Sequence, residues 1–141
     1  MAKYNKEYYE PLEQMMAVRH QYMSKILRDH TDQDIYNFFQ NKQVLDLGCG
    51  TGEFLNNYFE MGAQCTGIDI EKNFKLKNKK NFNLYNLDAN TFLKNCKKKF
   101  DIVFLFEFLE HLEEGDKHKL FESLVKILNK NALIFVSTLN K

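Results

Sequence analysis

Apolar residues recur along this chain in two rhythms. Met15, Val18, Tyr22, Met23, Ile26 and Leu27 follow a helical period, which predicts a helix from about residue 13 to 28 with one face on a core. Glu10-Pro11 marks its upstream boundary, because proline biases its predecessor away from helix. Residues 30–34 are polar and turn-like, and Asp32 suits the cap of a short helix carrying Ile35, Phe38 and Phe39. Val44 to Leu47 is an apolar strand that runs into a glycine-rich turn. Phe54, Leu55, Tyr58 and Phe59 mark the helix beyond it, with Gly62 at its stop. Residues 64–69 and 82–87 read as strands, and residues 71–80 carry no clear period. Phe100 to Phe106 is an apolar run interrupted only at Asp101, as in a strand covered on both faces. From Gly115-Asp116 a helix places Leu120, Phe121, Leu124, Val125 and Leu128 on one side, and residues 133–138 form a fifth strand. Strands alternating with helices predict an α/β domain with a mostly parallel sheet of about five strands.

Composition narrows the class. The 141 residues suffice for one domain with a real core, and 44% hydrophobic with 28% charged residues reads as globular. A formal net charge of +1 gives no global attraction to nucleic acid. The longest apolar stretch is broken by Glu107 and is too short to span a bilayer. The opening residues show no secretory-leader pattern, and Cys49, Cys65 and Cys96 are odd in number and lack metal spacing. Free thiols and a cytoplasmic location are expected. Two lysine groups, Lys75/Lys77/Lys79/Lys80 and Lys97/Lys98/Lys99, read as solvated turns and helix ends, the alternative being peripheral contact with membrane headgroups.

The chemistry concentrates around the glycine turn. In open α/β sheets ligands bind at the carboxyl ends of the strands, where Gly48-Cys49-Gly50-Thr51-Gly52 lies. A dinucleotide fingerprint places its third glycine one residue later, where this chain has Glu53. A carboxylate at that helix entrance repels a pyrophosphate and suits a ligand without one. Asp69 ends the second strand, where it either accepts hydrogen bonds from ribose hydroxyls or caps a following helix. Directly after the fourth strand stands Glu107-Phe108-Leu109-Glu110-His111. If this stretch is helical, Glu107, Glu110 and His111 share one face. Two carboxylates and an imidazole with open water positions suit Mg²⁺, or else Zn²⁺; the competing reading is a solvated charged face.

The spacing Asp46, Gly48, Gly50, Gly52 resembles motif I of class I S-adenosylmethionine-dependent methyltransferases. Asp46 then either meets the ligand's ammonium and complements its sulfonium, or satisfies loop amides. Further blocks are similar to the ubiquinone-pathway O-methyltransferases, the 3-demethylubiquinone 3-O-methyltransferase family. They are Pro11-Leu12 through Met16 to Arg19 and Tyr22, Gly62-Ala63 through Thr66-Gly67-Ile68-Asp69, Phe100-Asp101-Ile102-Val103 with Glu107 to His111, and Val136-Ser137-Thr138-Leu139-Asn140-Lys141.

The resemblance implies a Rossmann-like sheet, with residues 1–40 a helical segment packed on a cofactor-binding domain at 41–141. It implies methyl transfer from S-adenosylmethionine to a hydroxyl of a polyprenylated catechol. Arg19, Gly48, Asp69 and Phe106 would contact the cofactor, and Gly50 belongs to the same turn. Arg19 would bind its carboxylate. Asp88 would reach the adenine amino group or cap a helix. Glu107, Glu110 and His111 fall on the family's divalent-metal positions. Compared with the family the chain is short after its fifth strand, a truncated form of the fold. Asn129-Lys130-Asn131 stands in place of a Pro-Gly-Gly turn. A split or remnant methyltransferase, or a fragment completed by a partner chain, is the alternative to an active O-methyltransferase.

Overall fold

The computed structural model describes residues 6–138, with side chains from residue 16 onward. Its elements are α1 Lys6–His30, α2 Ile35–Phe39, β1 Gln43–Leu47, α3 Glu53–Glu60, β2 Gln64–Asp69, β3 Phe82–Asn86, α4 Ala89–Asn95, β4 Phe100–Phe106, a single 3₁₀ turn at Leu109–His111, α5 Glu114–Val125 and β5 Leu128–Ser137. The five strands form one all-parallel sheet in the order β3-β2-β1-β4-β5. The α/β expectation is met.

Alternation along the strands divides the apolar side chains between two faces. Val44, Cys65, Phe82, Leu84, Ile102 and Phe104 pack with Met23, Leu27, Phe39, Phe54 and Tyr58 from α1, α2 and α3. Leu45, Leu47, Ile68, Val103 and Leu105 pack with Leu93 of α4, with Leu120 and Leu124 of α5, and with Ile127. Both faces are covered, which is why β1 and β4 are mostly apolar, interrupted within the strands only by Asp46 and Asp101. Phe104 anchors the first face: its ring centroid lies 5.0 Å from Tyr58, 5.6 Å from Phe54 and 5.1 Å from Phe106.

Several local expectations change. Helix α1 passes through Pro11, so the boundary expected there is absent; the restriction on the residue before proline is a bias that a longer helix overrides. The Pro11-Leu12 side chains and Leu139-Asn140-Lys141 lie outside the described residues. Asp34 rather than Asp32 caps α2, its carboxylate accepting from the Asn37 N–H at 2.9 Å. No helix spans β2 and β3; there Asn78 bonds the backbone of Leu84 from both ends of its amide. Leu128 belongs to β5, not to α5, since the chain turns at Lys126 and a register shift between Phe100 and Ile102 lets the strand start early. Among the described residues β5, like β3, has a neighbour on one side only, and its Leu133 and Val136 remain 40% and 48% exposed. No helix is long and apolar enough to cross a membrane among the described residues, and all three cysteines are free.

Phe104 is fully buried. Replacing it with alanine should lower the unfolding free energy by about 3–5 kcal/mol, read as a fall in the urea midpoint; a loss below ~1 kcal/mol would contradict its anchoring place.

Candidate functional site

Strand β1 has β2 on one side and β4 on the other, and the chain reverses its direction of growth between them. That switch point opens a crevice at the strands' carboxyl ends. A cavity of about 450 Å³ occupies it. Its floor is the turn after β1. The N–H groups of Gly48 and Cys49 both donate to the Ile68 carbonyl, at 2.8 and 3.0 Å, and the Gly50 N–H donates to the Asp69 carboxylate at 2.8 Å. Gly48 and Gly52 have φ of +81° and +86°. A Cβ at Gly48 would sit 2.9 Å from the Phe108 ring, and one at Gly52 would sit 2.7 Å from Leu84. Neither position accommodates a side chain. Glu53 opens α3 as expected, and its carboxylate faces the Lys75 ammonium at 3.7 Å.

Arg19, Gly48, Gly50, Asp69, Asp88, Phe106, Glu107 and His111 all line the cavity. Asp69 caps no helix, because none follows it; its second oxygen accepts from the Glu71 N–H at 2.8 Å. Burial raises its pKa, against the pull of those two amides. Asp88 both lines the cavity and caps α4, accepting from the Thr91 N–H at 3.1 Å, so its two sequence readings are compatible. The Arg19 guanidinium carbon lies 5.0 Å from the Phe106 ring centroid and 5.5 Å from that of Phe54. Phe54 enters the site unannounced, since its helical spacing marked it only as core. Ile70, 67% exposed, also flanks the cavity, and only its place beside Asp69 could have signalled it.

Two expected groupings are not brought together. Asp46 lies inside β1 rather than in the turn, at 3% exposure, and is not among the residues lining the cavity. Alternation turns it to the Val44 side, toward α1. Burial pushes its carboxyl up to about 7, with Arg19 nearby opposing and Asp69 adding to the rise. Glu107, Glu110 and His111 do not share a helical face. Only Leu109–His111 turn, as 3₁₀, and Glu107 precedes them with φ of +47°. The Glu107 carboxylate pairs with the Arg19 guanidinium and accepts from the Ser137 hydroxyl at 2.9 Å. Both oxygens of Glu110 are buried without a hydrogen-bond partner, and Glu110 is not among the residues lining the cavity. Among the described residues, no three His, Cys, Asp or Glu side chains gather as a metal site.

A family profile described as methyltransferase domain matches residues 18–141. The ubiquinone biosynthesis O-methyltransferase of Pelagibacter ubique is 31% identical over 140 residues, covering 94% of this chain and 57% of that protein. The protein of the same name from Glaesserella parasuis is 33% identical over 119 residues, covering 77% and 50%. The chain thus spans about half the length of these curated relatives. Among solved structures, a SAM-dependent methyltransferase from Archaeoglobus fulgidus superposes with a TM-score of 0.63 at 28% identity, over 90% of this chain and 56% of its own. The plantazolicin methyltransferase BamL, solved with S-adenosylhomocysteine, gives a TM-score of 0.70 at 19% identity over 92% and 48%, a likeness of fold.

The buried acids have a consequence for stability. The Asp46 carboxyl moves from 3.8 in the unfolded chain to about 7 in the folded one. Between those values the folded chain holds more protons, so stability is greatest below the lower value and falls as pH rises through the window. Asp69 acts with the same sign. Urea unfolding from about pH 4 to 7 should show this fall, and Asp46→Asn should flatten it by up to ~1.4 kcal/mol per pH unit. An unaltered slope would contradict the buried acid's role.

Proposed function

This chain belongs to the methyltransferase-domain family, and on that premise we propose that its crevice binds S-adenosylmethionine and that the domain serves O-methylation of a small aromatic acceptor, a prenylated catechol of the ubiquinone type. One observation carries the reading. Arg19 from α1, the Gly48–Gly50 turn, Asp69 at the end of β2 and Asp88 at the start of α4 border a single cavity. A nucleoside bearing an amino-acid arm calls for that set. In this reading Asp69 binds the ribose hydroxyls, Asp88 the adenine amino group, and the glycine turn lets the backbone approach closely. Arg19 is placed for the terminal carboxylate. The names and partial coverage of the relatives support the reaction class.

When bound, the cofactor supplies an activated methyl on a sulfonium. The chain's own contribution is alignment, which supplies much of the acceleration in a displacement of this kind. Phe106 and Phe108 line the cavity together, giving it apolar walls that limit water around the reacting centre. The acceptor hydroxyl, with a phenolic pKa near about 10, must lose its proton as the new bond forms. His111 lies on the cavity wall, and in this reading its imidazole takes that proton. A divalent cation does not fit these residues as arranged. The Glu107 carboxylate is held by Arg19 and Ser137, and Glu110 lies off the cavity lining.

A second reading keeps cofactor binding without turnover. It draws on the coverage of the relatives, of which this chain spans about half. Turnover of a prenylated catechol with S-adenosylmethionine supports the first reading; tight binding with no turnover supports the second.

Calorimetry with S-adenosylmethionine and S-adenosylhomocysteine should show one site, and NAD should give no heat. Asp69→Ala should weaken S-adenosylhomocysteine about tenfold or more through loss of two ribose bonds while the chain stays folded by circular dichroism. Binding of NAD in place of these nucleosides would overturn the reading.

A further inference from the structure

Glu107 is the residue whose surroundings the proposed reaction leaves unexplained. It is 7% exposed and its backbone is left-handed, with φ of +47°. Three contacts fix it: its N–H donates to the Ser137 carbonyl at 2.8 Å, its Oε1 accepts from the Ser137 hydroxyl at 2.9 Å, and its Oε2 meets Nη2 of Arg19. Arg19 and Glu107 stand in the wall between the main cavity and a second one of about 380 Å³ between α1 and β5. Two phenyl rings flank the guanidinium independently of Glu107, Phe106 at 5.0 Å and Phe54 at 5.5 Å. Removing the carboxylate therefore leaves Arg19 where it is.

Resting on the S-adenosylmethionine reading above, we infer that Glu107 is a built-in competitor for Arg19, an internal carboxylate that the ligand's own carboxylate must displace. The charges argue this way. A ligand carboxylate reaching Arg19 arrives beside a second carboxylate in a site shielded from water, where like charges repel strongly. Glu107 already engages Nη2 of the guanidinium, so a ligand carboxylate drawing on that nitrogen competes with it. The same exchange runs backward when the methyl group has gone: Glu107 re-pairs with Arg19 and the demethylated product leaves. Glu107 thus sets affinity at the amino-acid arm and has no part in binding the nucleoside end.

The test compares two ligands that differ only at that arm. S-adenosylhomocysteine carries the carboxylate, and 5′-methylthioadenosine lacks the amino-acid group altogether. By calorimetry, Glu107→Gln should tighten S-adenosylhomocysteine roughly five- to tenfold and slow its release, while 5′-methylthioadenosine stays within about twofold of wild type. The unchanged second ligand also reports an intact fold. In an Arg19→Gln background the same Glu107→Gln change should leave S-adenosylhomocysteine affinity unaltered. An absent or reversed shift, an equal shift for both ligands, or persistence of the shift without Arg19 overturns the competitor role alone. Failure of the wild-type chain to bind either nucleoside overturns the cofactor reading, and this inference with it.

Discussion

The site rests on a main-chain clamp between the ends of two neighbouring strands. Gly48 and Cys49 both direct their N–H groups at the Ile68 carbonyl, and Gly50 directs its own at Asp69. This clamp bends the turn after β1 over β2 and aims it into the crevice. It requires backbone angles open mainly to glycine, and it requires the space that Phe108 and Leu84 fill instead of side chains. Asp69 serves twice: one oxygen holds the turn, the other holds the chain as it leaves β2. A carboxylate tied in this way braces two segments of main chain at once, so its burial is tolerated.

Around that clamp the charges are laid out with restraint. Asp46 and Asp69 are both shielded enough to resist ionisation, and both lie within electrostatic reach of each other. The Arg19 cation partly offsets Asp46 across the first face of the sheet. Its own placement comes from aromatic rings as much as from Glu107. Asp69, Asp88 and Glu107 border the crevice together with the Arg19 cation.

Much of this was legible in the sequence. Strand periodicity gave all five strands, because a sheet covered on both faces imposes long apolar runs that loops do not mimic. The glycine spacing located the turn, since those backbone angles leave few other residues available. What stayed hidden depended on contacts distant in sequence. Glu107 bonds Ser137, thirty positions away, and Arg19, eighty-eight away; no local spacing encodes either. The helical face expected of Glu107, Glu110 and His111 fails because the chain leaves β4 through a left-handed residue before it turns. Asp46 sits one pleat deeper than its motif suggested, for the strand persists to Leu47 before the bend begins. Leu128 matched the α5 period by coincidence, since it pairs with Phe100 of β4 ahead of a break in the β4–β5 register. Phe54 kept its core spacing and still became a wall of the site, because a residue at a helix entrance can serve both.

The border strand β5 carries a consequence for how the molecule meets others. Its ten residues present an outer row of amide hydrogens and carbonyls, with half-open aliphatic side chains beside them. Such a rim is a template on which any extended polypeptide can zip itself. Whatever covers this border, and the shorter one at β3, decides how far those main-chain groups remain open to pairing.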